Sequence, residues 1–158
     1  MRIRLLSPSR RLGEEVRRAV SRAWRVPCSL LVMPQLYSLQ GTLNAVDALQ
    51  LLSQLHPATP ALFLVMASVT FWDGDVLGFC REGRALVALA RLGSGAQLVR
   101  RACSVAVHEA GHLLGLGHCR HRCAMSPAGS VGGLDRRPLR PCPRCRSLAR
   151  HHRLSNIV

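Results

Sequence analysis

The chain has 158 residues, 48% of them hydrophobic and only 4% aromatic, and a formal net charge of +14. That length suits one domain with one aliphatic core, and its longest apolar run, Ala61 to Ala67, is far too short to span a bilayer. The basic excess is entirely arginine and is scattered, without the interleaved aromatics of a stacking platform, so it reads as a compositional bias with general affinity for polyanions and no specific nucleic-acid partner.

The predicted elements begin with a short strand, Ile3 to Ser7. A helix follows from Arg10 to Trp24, with Leu12, Val16, Ala19, Val20 and Ala23 at helical spacing. Cys28 to Met33, bounded by prolines, suits a buried strand. Thr42 to Leu55 has leucine or valine at steps of three and predicts a second amphipathic helix. Ala61 to Val69 predicts the strongest strand. This β-α-β-α-β order favours parallel neighbours with helices packed on the sheet. Phe71 to Gly83 reads as a loop, with Asp73 and Asp75 forming a turn around Gly74. Arg84 to Leu92 is apolar, Gly93 to Gly95 a turn, and Ala96 to Leu114 a long helix. Beyond Gly115, glycine, proline and four cysteines replace helical periodicity, which predicts a loop-rich cap and a basic tail through His151 and His152.

The long helix ends in H-E-A-G-H-L-L-G-L-G-H-C, His108 to Cys119. Residues four apart share a helix face, so His108 and His112 can present ring nitrogens to one metal ion. Glu109 then lies within reach of a metal-bound water. Gly115 can take φ > 0, end the helix and bring His118 back as a third ligand. Three protein ligands leave a fourth position open, as catalytic zinc requires. The chemistry expected is amide hydrolysis, with Glu109 first accepting and then donating a proton.

Cys119, Cys123, Cys142 and Cys145 form Cys-x3-Cys and Cys-x2-Cys pairs, the spacing of a closed tetrahedral structural zinc. The start of the chain lacks an apolar leader segment, so a cytoplasmic location is expected, which favours metal over disulfides. Cys28, Cys80 and Cys103 read as isolated buried thiols, His121 as an exposed loop residue, and His56 as a helix-end histidine.

H-E-x-x-H-x-x-G-x-x-H resembles the metzincin clan of zinc peptidases. With Cys119 directly after the third histidine, then Cys123-Ala124-Met125 and Cys142-Pro143-Arg144-Cys145, the chain is similar to the archaemetzincin family; Asp135 to Leu139 and Arg84 to Leu92 agree with it. The resemblance is dense from residue 84 to 150 and architectural before that. It implies an α+β fold with an α/β-like N-terminal part: a compact metzincin domain over 1–158, with an N-terminal subdomain (1–115) ending in the active-site helix and a small zinc-stapled one (116–158). It implies His108, His112 and His118 on a catalytic zinc, Glu109 as general base, Met125 in the turn beneath the metal, and the four cysteines on a second zinc. It also implies an edge strand, Ala85, Leu86, Val87, Ala88, Leu89 and Ala90, along which an extended peptide pairs. A monomer acting on peptide or protein substrates is expected, aminopeptidase-like on short peptides and with no membrane partner. Two features depart from the family pattern: the first cysteine pair is one residue closer, and the 71–83 stretch is contracted at the cleft rim. Intact Glu109 favours the enzyme over a non-catalytic peptide-binding zinc protein, and over a basic nucleic-acid-binding zinc module.

Overall fold

The computed structural model describes residues 1–72 and 74–155, the last three by backbone alone; Asp73 lies outside the described residues. The N-terminal elements β1 (Ile3–Ser7) and α1 (Arg10–Trp24) follow the hydrophobic pattern, whereas β2 (Cys28–Val32), expected to be buried, is an outer strand of its sheet and mostly half-buried. The Ser9 side chain accepts the Leu12 N–H and caps α1. The segment predicted as one helix from Thr42 divides. Thr42–Asn44 is a strand, β3, and Asn44 caps the helix α2 (Ala45–Leu55) by accepting the Val46 N–H. The predicted strand from Ala61 divides as well, into β4 (Ala61–Val65) and β5 (Ser68–Phe71), which lie in different sheets.

The main sheet has the order β2-β1-β4-β8-β7, where β7 is Gly78–Arg81 and β8 is Arg84–Ala88. Strands β2, β1, β4 and β8 run parallel; β7 alone is antiparallel. A second sheet of order β3-β5-β6 holds the short β6 (Gly74–Val76). The supposed loop 71–83 is therefore largely strand. Its two-residue turn, Glu82-Gly83, has φ of 51° and 74°, the left-handed pair that joins antiparallel strands most tightly.

Strand β4 is buried on both faces, as a central parallel strand should be. Leu62 and Leu64 enter the core shared with α1 and the long helix α3 (Gly95–Leu113), while Ala61, Phe63 and Val65 enter the core under α2. Ala85, Leu86, Val87 and Ala88 are correspondingly inside, flanked by β4 and β7. They are not an edge strand, and Leu89 and Ala90 lie beyond the strand's end. The hairpin covers β8 and leaves β7 as the edge.

After α3 the chain forms α4 (Val131–Arg136) and α5 (Pro143–Ser155). His151 and His152 thus sit on a helix and not in an irregular tail. Cys145 and Ala149 anchor α5 to the α1/α3 core, so the C-terminal part packs on the main core. Among the described residues no helix is long and apolar enough to cross a membrane.

Candidate metal centre and cleft

Helix α3 is buried continuously from Ala102 to Gly111, wedged between the sheet and α1. Trp24 of α1 donates its indole N–H to the Val107 carbonyl at 2.8 Å, fixing the helix one residue before the first candidate ligand. Gly111 lets Met125 and Trp24 close in: an added Cβ would lie 2.2 Å from Met125 Sδ and 2.8 Å from Trp24 Cζ2. Met125 therefore packs directly beneath the histidine-bearing turn. Gly115 has φ 83°, and the Leu116 N–H bonds back to the Gly111 carbonyl at 3.0 Å, turning the chain toward His118.

The donor atoms of His108, His112 and His118 all lie within 4.8 Å of one another. His108 and His112 bring their Nε2 atoms to 3.1 Å, close to the roughly 3.4 Å edge of a tetrahedron with metal–nitrogen bonds of about 2.1 Å. The other ring nitrogens are occupied. His108 Nδ1 lies 2.9 Å from the Ala124 carbonyl and His112 Nδ1 2.7 Å from that of Leu116. A carbonyl only accepts, so each Nδ1 carries the proton and each Nε2 offers a lone pair. Burial, against the Ala124 hydrogen bond, lowers the His108 pKa to about 3, and burial also lowers that of His112. Both rings are neutral at physiological pH, as ligation demands.

Glu109 is 5% exposed. Burial pushes its carboxyl up to about 8, opposed by the positive charge of Arg137. Strand β7 crosses its carboxylate at Gly78, where an added Cβ would lie 2.5 Å from Oε1. Arg137, also buried, donates to Ser104 Oγ, to the Ser104 carbonyl and to the Ser126 carbonyl, tying α3 to the segment after Met125. Sequence reasoning took Arg137 in only as part of the run Asp135 to Leu139 and gave it no role of its own among 22 arginines.

The four cysteines also form a cluster, their sulfurs within 4.8 Å of one another. Cys119 and Cys142 are 3.9 Å apart and Cys123 and Cys145 3.8 Å. A disulfide needs about 2.05 Å, whereas a tetrahedron with zinc–sulfur bonds of about 2.3 Å has edges near 3.8 Å. The close Cys-x3-Cys spacing is accommodated. The loop joining the clusters is pinned at both ends: the Cys119 N–H bonds to the Met125 carbonyl, and the Met125 N–H to Cys123 Sγ. Its Ala124 carbonyl is the one that orients His108.

A cleft of about 950 Å³ opens over the histidines and Glu109. Strand β7 forms one side and Pro127–Val131 with Leu134 another; none of the residues 85–90 reaches it. The edge strand expected from Ala85 to Ala90 is replaced at the cleft by Gly78–Arg81. Cys80 on β7 is half-buried and lines the cleft, unlike the buried Cys28 and Cys103. Asp75, also at the cleft, pairs with Arg91, and His121 is exposed.

Comparison with known proteins agrees with this geometry. Residues 94–151 match the model of peptidase family M54. The chain is 41% identical over 70 residues to an archaemetzincin of Archaeoglobus fulgidus, a match covering 43% of this chain and 44% of that protein. It is 40% identical over 96 residues to human archaemetzincin-1, covering 60% of this chain and 18% of that protein. The sequence matches thus span less than half the length of these relatives. In structure, the A. fulgidus archaemetzincin complexed with malonate superposes with a TM-score of 0.76 at 25% identity, over 94% of this chain and 99% of that one. A zinc-dependent peptidase of Methanocorpusculum labreanum gives 0.79 at 24% identity, over 93% and 99%. Helix, histidine triad, cysteine cluster and whole-chain superposition converge: from residue 94 to 151 the chain matches peptidase family M54, and over its length it is similar to the archaemetzincins.

Proposed function

We propose that the chain is a zinc-dependent metallopeptidase that holds two zinc ions, one on His108, His112 and His118 and one on the four cysteines. The observation that carries this reading is the pair of Nε2 atoms 3.1 Å apart, each freed by a protonated Nδ1, beside a buried carboxylate. Bound zinc supplies a Lewis acid for the scissile carbonyl and an acidified water. The chain's own part is positional and protonic. Glu109 takes a proton from the attacking water on its carboxylate and passes it to the departing amine. Burial raises the proton affinity of Glu109, and the charge of a zinc ion held on the histidines would draw it back down, so that the group can both take and give the proton. The substrate lies extended along β7, whose outward backbone N–H and C=O groups have no neighbouring strand among the described residues. Met125 is the methionine under the metal. The cysteine cluster does no chemistry and holds the loop that carries His118. Reduced thiols suit the cytoplasm.

The test is a peptide-library digest of the zinc-loaded chain against its Glu109→Ala variant, with elemental analysis of both. Two zinc ions in each protein and cleavage only by the wild type is the expected result. Cleavage that persists in Glu109→Ala removes Glu109 from the role of base.

A further inference from the structure

We propose that the basic cavity adjoining the metal cleft is a recognition site for an acidic side chain of the peptide substrate; this rests on the metallopeptidase reading. The cavity is about 580 Å³ and is lined by Arg122, Arg136 and Arg137 together with Ser126 and Ser130. It shares Pro127–Ser130 and Arg137 with the cleft, so a peptide held at the histidines passes beside it. No aspartate or glutamate lines it.

Among the described residues none of these three arginines forms a salt bridge. The ion pairs found among the described residues engage Arg17, Arg18, Arg81, Arg91 and Arg101. Asp135, the neighbouring acid in sequence, is shared among several arginines: both its carboxylate oxygens take hydrogen bonds from Arg101, at 2.8 and 2.7 Å, and its longer-range pull on Arg136 is divided with Arg100 and Arg101. Arg137 is buried, yet the oxygens it bonds are neutral, two carbonyls and a hydroxyl. Glu109 faces Arg137 electrostatically on the cleft side, so the charge left unmatched on the cavity side is that of Arg122 and Arg136, to which an arriving carboxylate can bond. Elsewhere in the cleft the cations are matched, Arg81 by Glu82 and Arg91 by Asp75. The attraction therefore points to one place, beyond Pro127–Ser130. The occupant is a side-chain carboxylate and not a nucleic acid, because the cavity adjoins the candidate hydrolytic centre and has no aromatic ring on which a base could stack.

The experiment uses the full zinc-loaded chain carrying Glu109→Ala, so that bound peptides are not consumed. Fluorescent peptides with Glu, Gln or Lys scanned through every position are titrated by anisotropy. In one register Glu should bind about tenfold tighter than Gln, a difference that shrinks as salt rises from 50 to 500 mM. Added Arg122→Glu and Arg136→Glu, with both zinc ions retained, should invert the preference toward Lys; Arg122→Gln alone should reduce it if the double variant folds poorly. Equal binding of Glu and Gln in every register overturns the proposal. So does an RNA oligonucleotide that binds more tightly than the acidic peptide and is lost in the same variants. Cleavage by the wild type is read separately. Retained Glu preference with no peptide cleaved sinks the peptidase reading and leaves the recognition site standing.

Discussion

The close approach of β7 to Glu109 yields the sharpest prediction. Gly78 on β7 lies against the buried carboxylate of Glu109, and a methyl group there would fall 2.5 Å from Oε1, 2.6 Å from Val105 Cγ1 and 2.8 Å from Glu109 Cδ. Real Cβ atoms do not approach heavy atoms more closely than 3.0 Å, so Gly78→Ala must part the strand and helix, or swing the carboxylate, by about half an ångström. Overpacking of this kind costs about 2 kcal/mol, which lowers Tm by about 4–8 °C in a chain of this size. The kinetic cost is larger in proportion. A reacting group displaced by about 1 Å loses about 10²-fold, so kcat/KM should fall between tenfold and about 10²-fold, with both metals retained. Gly74→Ala is the control, because nothing lies within 4 Å of its added methyl group. Steady-state hydrolysis of a fluorogenic peptide, differential scanning fluorimetry and elemental analysis read the three quantities. Gly78→Ala with wild-type kcat/KM would refute either the contact or the role of Glu109, since the methyl group cannot be accommodated without disturbing that carboxylate.

Three further outcomes are expected. Gly111→Ala, whose methyl group would meet Met125 Sδ at 2.2 Å and Trp24 at 2.8 Å, should cost about 2 kcal/mol in urea denaturation; an unchanged midpoint contradicts the packing of Met125 beneath α3. Cys142→Ser should release one of two zinc ions and abolish the thiolate charge-transfer band of the cobalt-substituted protein, with a lower melting temperature; a full complement of metal argues against the cysteine site. The metal-free protein should lose stability progressively as pH falls from 6.5 toward about 3, because unfolded His108 takes a proton at its ordinary pKa and the folded, buried ring does not until about 3. That slope should flatten in His108→Leu, and an identical slope would place the proton uptake elsewhere.

The readable parts of the sequence were those where chemistry or period is dense. The bounds of β1 and α1 follow from apolar spacing and a serine cap, and the gathering of the three histidines and of the four cysteines follows from their spacing over short distances. The opaque parts depend on partners remote in the chain. Strands β6 and β7 have only three and four residues, too few to show alternation. The Glu82-Gly83 turn that makes β7 an edge lacks the Asn-Gly or Asp-Gly signature of such turns. The sequence run Ala85–Ala90 is apolar enough to be any buried strand, and only the hairpin decides that its neighbour lines the cleft. Helix α5 buries a narrow face, chiefly Cys145 and Ala149, so its period is hidden among arginines. Arg137 is recognisable only by its burial.

Loops ordinarily absorb insertions and deletions because their exact length does not matter to the elements they join. The stretch from His118 to Met125 has no such freedom. One end carries a histidine donor and the other the methionine under it; between them lie two thiol donors and the carbonyl that sets the His108 tautomer. Any change in residue count must therefore come out of the exposed tip, Arg120 to Arg122. The Cys-x3-Cys spacing, closer than the resemblance implies, spans that tip, the one part of this segment where length can change while every donor stays in register.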